Sequence, residues 1–223
     1  VAKSGSSRSI PHSIQGVLFD WDGTLLDSYK ADSQAYLAMF RALGIAWTLK
    51  ELEINYSPNW YDVYRAAGLA QEHWKSADQL WRRHYAGYKP RLIAGVRGVL
   101  NSIRLRHRIG IVTSGDRDRV MRQLREFGLT RLFSPRICGG DTTEKKPHPA
   151  PLLLALDKMR LKPESCIYVG DTPHDLLMAK RAGVRSIAVL GPFPTETQLR
   201  AAQPEFLLRS IKELPALLRK LDQ

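Results

Sequence analysis

Apolar residues fall along the chain in two alternating rhythms. Short, almost wholly apolar runs recur at Gly16–Phe19, Ile109–Thr113, Arg136–Cys138, Cys166–Val169, Ser186–Leu190 and Glu205–Leu208. Such runs, bounded by glycine and polar residues, predict strands buried on both faces. Between them, apolar positions repeat with helical spacing over Val96–Arg106, Arg117–Phe127, Pro149–Arg160 and Asp175–Ala182. Gly128 and Gly183 stand just past two of these segments, where a helix ends on a left-handed residue. Strands alternating with helices predict an α/β fold with a parallel sheet flanked by helices. Its ligands bind beyond the carboxyl ends of the strands.

The stretch from Tyr29 to Arg91 breaks this rhythm. It reads as helices alone, over Ser28–Leu43, Trp60–Ala67 and Gln71–Tyr88, stopped by Gly44, Gly68 and Pro90. Four of the five tryptophans (Trp47, Trp60, Trp74 and Trp81) lie here and are expected to fill a core of their own. The predicted division is an α/β core from residues 14–28 and 92–223, with a small all-helical domain, 29–91, inserted after the first strand. Residues 1–13, rich in serine and basic side chains and without an apolar stretch, read as a flexible tail and not as a secretory signal.

Composition narrows the function classes. The longest apolar runs are four or five residues, too short to cross a bilayer, so no membrane partner is expected. Cys138 and Cys166 lack metal-ligand spacing, which predicts reduced thiols in a cytoplasmic protein. The 34 Lys+Arg against 22 Asp+Glu give a net charge of +12, and ten arginines fall between Arg97 and Arg136. That surplus favours anionic ligands. No nucleic-acid-binding motif accompanies it, so nucleic acid is not expected as a partner. A monomer and a dimer are both compatible with these numbers.

Candidate chemistry follows the predicted strands. The first carries "FDWDGTLLDS", with Asp20 and Asp22 two residues apart; taken alone, Asp22-Gly23 reads equally as a turn. The second ends in Thr113, Ser114 and Gly115, a hydroxyl pair suited to a helix cap or to a phosphate at a helix start. Lys145 and Lys146 precede Pro147-His148-Pro149 and read singly as surface. A later strand ends in Gly170-Asp171, with Asp175 four residues on as a cap or a site residue. One sheet edge would then gather Asp20, Asp22, Asp171 and Asp175 with a lysine and a hydroxyl. Carboxylates so close repel unless a divalent cation lies among them, and hard oxygen ligands favour Mg²⁺. A metal, a lysine and a hydroxyl-bearing turn together suit a phosphoryl group.

The ordered set "FDWDGTLLDS", "IVTSG", "KKPHP" and "YVGDTPHDLLMAKRAG" resembles the four motifs of the haloacid dehalogenase superfamily, from Gly16 to the C-terminus. It is most similar to phosphoglycolate-phosphatase-like members with a helical cap. The resemblance implies a Rossmann-like core, a cap at 29–91, and Mg²⁺-dependent hydrolysis of a small phosphorylated metabolite through an aspartyl phosphate. It implies Asp20 as nucleophile and Asp22 as acid and base. Mg²⁺ would be held by Asp20, the Asp22 carbonyl and Asp171, with Asp175 in support. The phosphoryl group would be held by Thr113, the N–H groups of Ser114 and Gly115, and Lys146, leaving Lys145 at the surface or rim. Repulsion from Asp20 is expected to help Asp22 keep its proton.

Other readings compete. A dehalogenase of the founding type needs no second aspartate and no metal, against the presence of Asp22, Asp171 and Asp175. A phosphonatase needs a buried cap lysine, for which Lys30, Lys50, Lys75 and Lys89 are the available residues. A β-phosphoglucomutase-like enzyme shares the core chemistry and differs in what meets the phosphoenzyme. A non-catalytic anion-binding protein of the same fold would use only the basic surface.

Overall fold

The computed structural model describes residues 13–223, so the tail read over 1–13 lies, but for Ser13, outside the described residues. The chain opens with β1 (Gly16–Phe19) and the short β2 (Leu26–Asp27). Four helices follow: α1 (Tyr29–Ala42), α2 (Leu49–Ile54), α3 (Trp60–Ala66) and α4 (Trp74–Tyr85). After β3 (Arg91–Leu92), strands and helices alternate: α5 (Val96–Ile103), β4 (Arg108–Asp116), α6 (Arg117–Glu126), β5 (Arg136–Gly139), α7 (Ala150–Met159) and β6 (Cys166–Gly170). The chain ends through α8 (Pro173–Arg181), β7 (Arg185–Val189), α9 (Glu196–Ala201), β8 (Leu207–Leu208) and α10 (Leu214–Leu221).

Six of the strands form one parallel sheet in the order β5-β4-β1-β6-β7-β8. Its continuous apolar runs arise because both faces are covered. Val17 and Phe19 pack in a cluster with Val99, Leu100 and Val120 of α5 and α6, whereas Leu18 enters the opposite cluster with Leu152, Met159 and Met178 of α7 and α8. Ile167 and Val169 divide from Cys166 and Tyr168 in the same way. Alternate side chains of a strand point to opposite faces, and here each face has its own helical layer.

The helical insertion leaves and rejoins the sheet through an antiparallel ribbon that pairs Leu26 with Leu92 and Asp27 with Arg91. Its core is built on Tyr36, Met39, Phe40, Val63 and Tyr64, with the four tryptophans only partly buried around it. Trp47 packs edge-on against Phe40 and Trp74 stacks on Tyr61, while Trp60 and Trp81 border a cavity. The expectation of a tryptophan core thus holds for their packing but not for their depth.

Helix α2 was not evident in the apolar pattern, because only Leu52 of its six residues is buried. Its signal was the capping box, in which the Thr48 side chain accepts from the Glu51 N–H and the Glu51 carboxylate returns to Thr48. The segment expected as one helix over Gln71–Tyr88 divides into a 3₁₀ turn, Gln71–His73, and α4. No described helix is long and apolar enough to cross a membrane. Cys138 and Cys166 are free and buried.

Candidate active site

The carboxyl edge of the sheet gathers the four strand-end segments. Asp20 follows β1 directly, and its N–H donates to the Val169 carbonyl of β6 (2.9 Å), so the main chain carries its side chain to the edge. Lys146 arrives from the loop after β5 and is 2% exposed. Its ammonium donates to Asp20 Oδ1, Asp175 Oδ1 and the Tyr168 hydroxyl, each at 2.8 Å. Three donors thus meet three acceptors. Burial works against the lysine charge, but the Asp175 and Asp20 carboxylates outweigh it and hold the pKa above the usual lysine value. Burial lifts the Asp20 carboxyl to about 7 against the opposing charge of Lys146.

Asp171, at the end of β6, is 1% exposed. Its Oδ1 accepts from the Thr24 hydroxyl (2.8 Å), and its buried Oδ2 has no hydrogen-bond partner. Burial and the charges of Asp20 and Asp175 push this carboxyl well above the usual range. One oxygen from each of Asp20, Asp171 and Asp175 lies within 4.8 Å of the others. An orphaned buried carboxylate oxygen within a set of hard oxygen donors fits a divalent cation such as Mg²⁺. Gly23, at φ +79°, lets the loop after β1 cross this group, since a Cβ there would overlap Asp171 Oδ2.

Asp175 caps α8 and also reaches Lys146. Its Oδ2 accepts from the Thr172 N–H (3.1 Å) and hydroxyl (2.6 Å), closing the capping box of α8. Its Oδ1 accepts from Lys146 and from the Tyr168 hydroxyl (3.1 Å). Burial raises its pKa, but the Lys146 charge and these hydrogen bonds bring it below the usual range.

Thr113, Ser114 and Gly115 reach the same edge by a route different from the expected one. They belong to the end of β4 and not to a helix start. The pairing with β5 shifts register between Val112 and Asp116, and α6 begins only after Asp116, whose carboxylate accepts from the Arg119 N–H (3.1 Å). The ladder is irregular over these residues, and they line the same cavity as Asp20. The Thr113 hydroxyl accepts from the Gly115 N–H (3.0 Å), and the buried Ser114 Oγ is unpartnered.

Asp22 has a partner that the motif spacing did not disclose. Both its oxygens accept from the Arg119 guanidinium, at 2.9 and 2.6 Å. Burial would raise the Asp22 pKa, but Arg119 outweighs it and holds the carboxyl below the usual range. The like charge of Asp20 is therefore not what governs Asp22 in this arrangement. Arg119 also donates to the Tyr85 hydroxyl of α4 (3.3 Å) and to Gln123 Oε1 (3.3 Å), which accepts in turn from Trp21 Nε1 (2.9 Å). Its guanidinium lies 4.9 Å from the Tyr85 ring centre and 5.8 Å from that of Trp81. The one signal for such a role was an arginine in the first turn of α6, where the helix dipole disfavours a cation without an anionic partner.

Between the sheet edge and the insertion lies a cavity of about 300 Å³. Asp20, Asp22, Thr113, Ser114 and Gly115 form its floor, and side chains of α1, α3 and α4 form its roof. Lys145 sits on its wall with Nζ 4.2 Å from the Trp60 ring centre, a rim position as expected. Asp32 of α1 also faces it; burial, reinforced by the Asp22 charge, lifts its carboxyl to about 8. Asp32 gave no signal in the sequence, because an acid in the first turn of a helix is ordinary.

A family model described as haloacid dehalogenase-like hydrolase matches residues 17–189. Among curated relatives, Pyrophosphatase PpaX of Halalkalibacterium halodurans is 29% identical over 206 residues, covering 90% of this chain and 95% of the relative. Phosphoglycolate phosphatase of Escherichia coli is 28% identical over 233 residues, covering 92% of each. Among solved structures, CbbY from Rhodobacter sphaeroides in complex with phosphate superposes with a TM-score of 0.77 at 25% identity, covering 90% of this chain and 96% of that one.

Proposed function

The chain belongs to the haloacid dehalogenase-like hydrolases, and from that premise we propose that it is a Mg²⁺-dependent phosphatase acting on a small phosphomonoester through a phosphorylated Asp20. The observation that carries this reading is the buried ammonium of Lys146 between Asp20 and Asp175, beside the unpartnered oxygen of Asp171. The names of the pyrophosphatase and phosphoglycolate phosphatase relatives support the substrate class, a small phosphorylated metabolite. The two free, buried thiols are in keeping with a cytoplasmic enzyme.

Asp20, the Asp22 carbonyl and Asp171 would hold Mg²⁺, with Asp175 in support through Lys146 and Thr172. When bound, Mg²⁺ supplies the positive charge that lets a carboxylate approach a phosphate dianion. The Asp20 carboxylate attacks phosphorus, forming the Asp20–phosphorus bond as the bond to the leaving oxygen breaks. Asp22 gives a proton to that oxygen. It then takes one from the water that attacks the aspartyl phosphate, releasing phosphate and restoring Asp20. Because Arg119 holds Asp22 ionised, donation requires the carboxyl to turn from the guanidinium and take up a proton from solvent before it reaches the leaving group. Thr113 and the N–H groups of Ser114 and Gly115 orient the phosphoryl oxygens, and Lys146 offsets their charge.

Residues 14–28 and 92–223 act as the catalytic core and 29–91 as a cap that closes over the site and excludes bulk water. The ribbon of β2 and β3 joins the two beside Asp22 and is suited to act as the hinge.

The test is hydrolysis of p-nitrophenyl phosphate with Mg²⁺ or with EDTA, on parent protein and Asp20→Asn. Turnover is expected only for the parent with Mg²⁺, together with an acid-stable phosphate on Asp20 after quenching. Absence of turnover from folded, Mg²⁺-supplied parent protein, or parent-level turnover by Asp20→Asn, overturns the reading.

A further inference from the structure

We infer that Tyr168 is a positioning residue for phosphoryl transfer: its hydroxyl fixes the Lys146 ammonium and the end of β4 relative to one another, so that both meet the same phosphoryl group. The inference rests on the phosphatase reading above and adds to it a residue that acts through Lys146 and Thr113.

Tyr168 stands on β6, fully buried, with its ring in the apolar cluster of Leu18, Val112, Ile137 and Met178. Packing alone would be met by phenylalanine, since a buried hydroxyl costs free energy unless it is hydrogen-bonded. Here the hydroxyl has three polar neighbours. It accepts from Lys146 Nζ (2.8 Å), and its one hydrogen lies within reach of the Val112 carbonyl (2.8 Å) and of Asp175 Oδ1 (3.1 Å). The shorter of the two acceptor contacts is the one to the main chain.

Both ends of this bridge lead to groups assigned above to the phosphoryl oxygens. Val112 directly precedes Thr113 and is the last residue of β4 in register with β5 before the ladder shifts. Where a ladder is irregular, strand pairing no longer fixes the path of the chain. The Tyr168 hydroxyl supplies a constraint at that point, reaching the Val112 carbonyl past β1, which lies between β4 and β6 in the sheet. Lys146 comes from the loop after β5 on a long side chain with many rotamers to lose. Asp20 and Asp175 take two of its three ammonium hydrogens. Two acceptors leave the ammonium free to turn about the line joining them, and a third fixes its orientation. That third acceptor is Tyr168.

The experiment is steady-state kinetics with Mg²⁺ on parent, Tyr168→Phe and Tyr168→Met, with p-nitrophenyl phosphate and phenyl phosphate as substrates. Phenylalanine keeps the ring and removes only the hydroxyl. Methionine also removes it and adapts to irregular space, so the loss can be read on whichever variant folds. Rates are expressed per folded molecule, from circular dichroism and thermal melts. kcat is expected to fall by about tenfold or more with KM within about twofold, the pattern of an interaction that acts in the transition state. The factor should agree between the two esters to within about twofold, because they share the phosphoryl group and differ in the leaving group. A role in stability alone would lower the melting temperature and leave kcat per folded molecule unchanged. A kcat within about threefold of the parent's therefore overturns the inference, as does a loss seen in KM alone or with one ester only. No turnover of either ester by folded parent protein removes the phosphatase reading and the inference with it. Turnover by the parent with parent-like kcat in a folded variant removes the inference alone.

Discussion

Arg119→Ala isolates the contact that ties Asp22 to the helical insertion. The side chains of Arg119 and Asp22 are 9% and 21% exposed. Removing one partner of a buried ion pair costs about 3–5 kcal/mol, and the cavity-facing edge of Asp22 places this pair at the lower end, about 3 kcal/mol. Lifting the guanidinium from the faces of Tyr85 and Trp81 adds about 0.5–1 kcal/mol. Urea denaturation in EDTA at pH 7, on parent, Arg119→Ala, Asp22→Asn and the double variant, reads both the loss and the coupling. The double variant should be more stable than the sum of the single losses by about 1.5–2 kcal/mol, within the range of residues in direct contact.

The pH dependence carries a sign. Asp22 is held below the usual carboxylate range, so its pairing stabilises the fold fully above the unfolded value of about 3.9. That stabilisation is lost as pH falls through the folded value. In Arg119→Ala burial acts on Asp22 without its cation, so the deficit should be largest at about pH 8 and shrink as pH falls and the unpaired carboxyl takes up a proton. Coupling under about 0.5 kcal/mol, or a deficit that persists unchanged into acid, would refute the assignment of Arg119 as the partner that keeps Asp22 ionised.

Lys146→Met leaves Asp20 and Asp175 buried without their shared cation, so unfolding free energy in EDTA should fall by about 3 kcal/mol or more. In thermal melts that corresponds to a drop of about 6–12 °C, smaller with Mg²⁺ than with EDTA; equal drops would count against a metal beside Asp20. Because Asp20 sits at about 7 and Asp171 is also raised, Mg²⁺ must displace protons to bind. Its affinity should then rise between about pH 5 and 8, with proton release seen by calorimetry in buffers of different ionisation enthalpy; pH-independent affinity would be the contrary result.

The floor of the site was legible in the sequence because each of its residues lies within a few positions of a strand end. A parallel sheet brings all strand ends to one edge, so Asp20, Thr113 and Asp171 could be gathered without knowing any side-chain contact, whereas Lys146, well past the end of β5, was told from Lys145 only by the family resemblance. Even Thr113–Gly115, which arrive on a bulged strand and not a helix start, reach the expected place. The roof lacks such a rule. Arg119 is one of ten arginines between Arg97 and Arg136, and its burial depends on Tyr85, 34 residues away, and on Asp22, 97 residues away. Asp32 and Tyr36 satisfy the ordinary amphipathic pattern of α1 whether they face solvent or substrate. The two halves of the site therefore differ in kind. The floor is written in local spacing beside strands, whereas the groups that line the roof of the cavity are fixed by how the insertion docks. A change in the docking of α1 or α4 would reshape the cavity roof while Asp20, Lys146 and Asp171 stay in register. Roof and floor meet at Arg119, which touches Asp22 on one side and Tyr85 on the other.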